Sequence, residues 1–155
     1  MVTAPFARSA LLLAGTVAAA GAVLHLAIAL GGPAWYAAFR APPGLVELAR
    51  IGHPRAAITC MVIAAFLSVL AAYAFSGAGA IRRLPLLRPA LAAIGAALVA
   101  RGLLLIPLAV ARPDLLARIC DCRGVDAFLV ATSALCLAMG TAYALGAMTT
   151  PPQRT

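Results

Sequence analysis

The chain has 155 residues, 65% of them hydrophobic and 10% charged, and its mean hydropathy is +1.05. Soluble domains carry roughly 25% charged residues, so a soluble fold is excluded, and the apolar segments leave no room for a separate soluble module. The net charge of +8 comes from arginine alone; with no basic run or aromatic-basic platform for strand binding, it points to membrane lipids and helix orientation, not to nucleic acid.

The first apolar run, residues 9–30, has no charged residue, and a helix needs about 20 residues to cross about 30 Å of hydrocarbon. It predicts a first transmembrane helix. A signal peptide cleaved near residues 18–22 is the rival reading, but signal cores run about 7 to 15 residues and this hydrophobicity continues further. Gly31, Gly32 and Pro33 end the helix. Trp35, Tyr36 and Phe39 follow at once, and such rings gather at the membrane-water boundary, so they are expected to be interfacial. Residues 45–51, with Glu47 and Arg50, predict a short surface helix before the Gly52-His53-Pro54 turn.

A second crossing is expected over 56–75, a third over 88–110 and a fourth over 127–148. Pro85 and Pro89 fall at the start of the third, where a missing N–H costs no helical hydrogen bond. The polar loop between the third and fourth holds Arg112, Asp114, Arg118, Cys120, Asp121, Cys122 and Arg123. The expected fold is all-α: one integral membrane domain over 1–155, a four-transmembrane-helix bundle in up-down-up-down order with a short interfacial helix between helices 1 and 2.

Four crossings put both termini on one side, with Arg8, Arg82, Arg83, Arg88 and Arg154. The other side carries Arg40, Arg50, Arg55, Arg112, Arg118 and Arg123 with all four acids, Glu47, Asp114, Asp121 and Asp126. Arginines crowd the short second connector, which favours cytoplasmic termini in a bacterial inner membrane. Ala134, Ala138, Ala142 and Gly146, and likewise Ala92, Ala96 and Ala100, recur every four residues. These small-xxx-small stripes are expected to face neighbouring helices, with some of that surface serving a homo-oligomer or a larger membrane complex.

Arg101 is the most informative residue. It lies about 13 Å from the Val110 end of its helix, near mid-bilayer, where an arginine costs about 2.5 to 3.5 kcal/mol on insertion scales. No Asp or Glu lies within any crossing. His25, Thr132, Ser133 and Cys136 fall near its level, and Pro107 leaves the Leu103 carbonyl without its helical donor. Two readings stay open: an arginine held by hydroxyls, carbonyls and water, or a positive site for a lipid phosphate, a small carboxylate or a partner's acid.

Other chemistry is weakly marked. His25 and His53 sit on neighbouring helices, but the second occupies a turn, so no haem or metal cofactor is expected. Cys120-x-Cys122 is a poor redox motif; either thiol is a candidate for a disulfide with Cys60 on an oxidising side. No carboxylate pair, activated serine or metal-ligand set supports catalysis, and no catalytic residue is assigned. The expected function is a non-enzymatic accessory or small-ligand/lipid-binding module with a polar site in the outer half of the bundle. The alternative is a membrane enzyme acting on a lipid, quinone or thiol.

The segments His25 to Pro42, Tyr73 to Arg88, Arg101 to Pro107 and Ser133 to Leu137 together resemble, in order and spacing, a group of small four-helix membrane proteins of bacteria with no assigned activity. That resemblance implies the fold and a bacterial origin. It also implies that His25, Trp35, Tyr36, Arg101 and Cys136 belong to a shared pattern. Members of the group often have a second histidine late in the fourth helix, where this chain has Tyr143.

Overall fold

The computed structural model describes residues 4–112, 114–115 and 125–151. Among them it is helical and has no strand: α1 (Ala4–Gly31), α2 (Pro33–Ala38), α3 (Pro43–Arg50), α4 (Arg55–Gly77), α5 (Leu87–Leu103), α6 (Leu105–Ala111) and α7 (Ala127–Thr149). Four stretches are long and apolar enough to cross a membrane: α1 with 28 residues, α4 with 23, the α5–α6 stretch Leu87–Ala111 with 25, and α7 with 23.

Local chemistry sets the boundaries. Pro33 and Pro43 open α2 and α3 at positions whose N–H has no helical partner. Asp126 caps α7, its carboxylate accepting from the Leu129 N–H at 2.8 Å. The expected helix over 88–110 is divided at Leu104, because Pro107 has no N–H to offer the Leu103 carbonyl. Leu104 keeps helical angles, φ −61° and ψ −21°, so the span continues through the break. The connector after α4 is knotted to Ser76, whose buried hydroxyl donates to the Arg82 carbonyl at 3.1 Å and accepts from the Leu84 N–H at 2.9 Å.

The helices form two close pairs, α1 with α4 and α5 with α7, which meet mainly along α1–α7 and α4–α5. The α5–α7 pair is held at backbone contact. A Cβ on Gly95 would lie 2.9 Å from the Ala144 nitrogen, one on Gly140 would lie 2.8 Å from the Val99 nitrogen, and one on Gly102 would lie 2.8 Å from the Ser133 carbonyl. This corrects the small-residue expectation. Ala92, Ala96 and Ala100 are exposed, as are Ala134 and Ala138; only Ala142 and Gly146 of the two stripes are buried. Glycine admits an even closer approach than alanine, so the contact face follows Gly95, Gly102 and Gly140. Ala92 and Ala96 instead line an outward groove of about 590 Å³.

The shared core lies in one half of the molecule. Leu11, Ala14 and Ala18 of α1, Leu70, Ala71 and Ala74 of α4, Leu87 and Leu91 of α5, and Met139, Ala142 and Tyr143 of α7 form one cluster. A second cluster, Ile28, Tyr36, Ala56 and Cys60, belongs to the α1–α4 pair with α2, and Leu45, Val46, Leu48 and Ala49 of α3 pack against it. At that end the pairs are linked by an exposed salt bridge, Arg40 to Asp126 at 3.0 Å.

Candidate functional site

Arg101 takes its position from the seam of α5. Leu87, Leu91, Ile94 and Leu98 follow one another at spacings of four and three and all pack in the shared core. The next position of that stripe is Arg101. By then the core has ended, and Arg101 is exposed, with no hydrogen bond or ion pair among the described residues.

The sequence leads one to expect Arg101 between helices, facing His25, Thr132, Ser133 or Cys136, and the structure corrects this. His25 is half-buried and its Nδ1–H donates to the Gly21 carbonyl, one turn back, at 2.8 Å. Thr132 donates to the Phe128 and Leu129 carbonyls, both at 3.0 Å. Cys136 is a half-buried free thiol. Hydroxyls and imidazoles on helices readily bond to their own backbone, which satisfies them without a partner helix. Glycine contact also draws α5 onto α7, and Arg101 stays exposed.

Ser133 differs from the other candidates. It is buried, and its hydroxyl has no hydrogen-bond partner among the described residues, whereas a helical serine ordinarily returns its proton to the carbonyl four residues back. Its own carbonyl faces Gly102, the residue next to Arg101. Two polar groups without partners among the described residues, a guanidinium and a hydroxyl, therefore sit on neighbouring turns of two helices in contact.

The aromatic segment divides in the same way. Trp35 and Phe39 are exposed, their ring centroids 5.8 Å apart, while Tyr36 is only 1% exposed. The Tyr36 hydroxyl finds no well-aligned partner among the described residues. Burial first, and the neighbouring Cys60 thiol second, push its pKa from 10.0 up to about 12. Together with Gly32, Gly52 and His53, Tyr36 lines a small cavity of about 160 Å³. Nothing in the residue pattern distinguishes it from its exposed neighbours Trp35 and Phe39; only its placement under α3 and α4 does.

Cys60 is buried and free. Its suggested disulfide partners Cys120 and Cys122 lie outside the described residues. No group of three or more His, Cys, Asp or Glu side chains positioned to hold a metal exists among the described residues.

These features fit a multi-pass membrane protein with a helix bundle and unpaired polar groups within its spans. No protein family, curated protein or solved structure matches the chain.

Proposed function

We propose that the protein is a non-enzymatic accessory or small-ligand-binding module of a bacterial inner membrane, and that Arg101 and Ser133 receive an anionic group from outside the chain. In this reading the helices cross up-down-up-down with both termini cytoplasmic, and α2 and α3 lie on the opposite interface. The observation that carries it is the guanidinium of Arg101, exposed and unpaired among the described residues near the middle of the Leu87–Ala111 span. An arginine at that depth is stable when it is paired or hydrated, and this chain has no acid within its spans.

Self-association does not supply the missing charge, since a second copy brings the same acid-free helices. A carboxylate on a partner's transmembrane helix, or on a small ligand, fits the depth better than a lipid phosphate held at the interface. In this reading the partnerless Ser133 hydroxyl adds a hydrogen-bond donor to such a carboxylate.

The reading is tested by purifying the wild type and Arg101→Leu from native membranes in mild detergent and comparing what accompanies each. A protein or carboxylate ligand retained by the wild type and lost from the variant supports it. Identical companions in both preparations, with the variant still folded, would refute it.

A further inference from the structure

We propose that a second site, at the end of the bundle where α1 begins and α4 ends, holds an anionic phospholipid. Its phosphate lies between Arg8 and Arg83, and an acyl chain follows the groove between α1 and α4. A cavity of about 330 Å³ opens there, and its lining includes Arg8, Ser76, Ile81, Arg83 and Leu87. The two arginines reach it from different elements, Arg8 from α1 and Arg83 from the connector after α4.

Each arginine is oriented by one main-chain bond. Arg8 Nε donates to the Ala78 carbonyl at 3.1 Å, and Arg83 Nη2 donates to the Pro151 carbonyl at 2.6 Å. Neither bond neutralises the charge, and both terminal amino groups of Arg8 remain for a ligand. The ion pairs among the described residues are Arg40–Asp126, Arg50–Glu47 and Arg112–Asp114, all of them elsewhere. Ser76 spends its hydroxyl on the connector, so recognition falls to the two guanidinium groups. Their planar donor forks match the oxygens of a phosphate.

Ile81 distinguishes a lipid from free phosphate. It lines this cavity and also a second one of about 380 Å³, an apolar groove between α1 and α4 whose walls include Ala19, Ala22, Leu26, Ala71 and Phe75. A charged opening at the helix ends that leads into an apolar groove along the spans suits a head group with its acyl chain. A small inorganic anion has no use for the groove. Juxtamembrane arginines contribute about 1 kcal/mol each to anionic-lipid binding, equivalent to about five-fold in affinity.

The test uses the full-length protein in phosphatidylcholine nanodiscs, in mixed phosphatidylcholine and phosphatidylglycerol nanodiscs, and in phosphatidylcholine nanodiscs with added sodium phosphate. Native mass spectrometry reads the retained lipid, and thermal unfolding reads the stabilisation. Phosphatidylglycerol is expected to raise the melting temperature and remain bound, whereas phosphate does neither. Arg83→Gln should weaken retention about five-fold and Arg8→Gln/Arg83→Gln further, while Arg50→Gln leaves it unchanged. Arg8→Gln also removes the bond to Ala78, so Arg83→Gln, whose lost bond lies at exposed Pro151, decides the matter if the double variant does not fold. Equal retention by the wild type and Arg83→Gln overturns the proposal, and so does phosphate stabilisation as large as that from the lipid.

Discussion

The hydroxyl of Tyr143, on α7, donates to the main-chain carbonyl of Leu70, on α4, at 2.7 Å, and it does so in the fully buried centre of the shared core. It is a polar tie between the two helix pairs at a level where the surrounding contacts are apolar. In hydrocarbon the pairs gain little from the hydrophobic effect, so such a bond adds directly to their association.

Tyr143→Phe keeps the ring and removes the tie. The expected loss is about 0.6 to 1.7 kcal/mol, the range for interhelical side-chain hydrogen bonds in membranes. Reversible unfolding in mixed micelles measures it, and an unchanged stability would mean that the bond contributes nothing net.

Arg101→Leu should behave in the opposite sense. In the isolated chain it relieves an unpaired charge in the span, raising stability by up to about 2.5 to 3.5 kcal/mol on insertion scales. A stability gain combined with a lost companion is the signature of a binding arginine. A stability loss would show that Arg101 has a structural partner in the folded chain.

Gly102→Ala and Gly140→Ala each place a methyl against backbone, at 2.8 Å from the Ser133 carbonyl and from the Val99 nitrogen respectively. Backbone cannot turn aside as a side chain can, so α5 and α7 must separate, at an expected cost of about 1 to 3 kcal/mol. Ala96→Gly, on the exposed stripe, is the contrasting variant and should leave the α5–α7 contact intact. Cross-linking between cysteines introduced on the two helices reports their separation.

Ser76→Ala removes both bonds that tie the connector to α4. A loss of about 1 to 3 kcal/mol is expected, since a buried hydrogen-bonding partner disappears. Arg83 is carried by the same connector, so lipid retention should fall alongside melting temperature.

Tyr36 yields a pH dependence. Its folded pKa, near 12, lies above the ordinary 10.0, so above pH 10 the unfolded chain loses this proton first. Stability is therefore unaffected by this group below pH 10 and falls as the pH rises from 10 toward 12. Tyr36→Phe should abolish that part of the decline. At neutral pH it should match or exceed the wild type in stability, because it removes a buried hydroxyl without a well-aligned partner. Thermal unfolding across this pH range compares the two proteins.

The one-dimensional pattern of the chain already determined that it is a membrane protein with four apolar helices, that Arg101 lies deep in the third span, and that no acid shares its layer. Those properties depend on composition and on the match between helix length and bilayer thickness, and both can be counted along a sequence. Rotation of each helix about its axis cannot be counted in that way. Apolar residues face lipid and core alike, so hydropathy carries almost no information about which face of α5 meets α7.

Tertiary structure decided that Gly95, Gly102 and Gly140 make the close contact while the Ala92, Ala96 and Ala100 stripe faces outward. As a consequence Arg101 stands beyond the end of the shared core with no partner among the described residues, and His25 and Thr132 turn to their own helices. The Tyr143–Leu70 bond and the convergence of Arg8 and Arg83 join residues 73 or more positions apart in the chain. No local spacing encodes them, because each exists only once helices distant in the chain have packed together: α7 against α4 for the bond, and α1 against α4 for the two arginines.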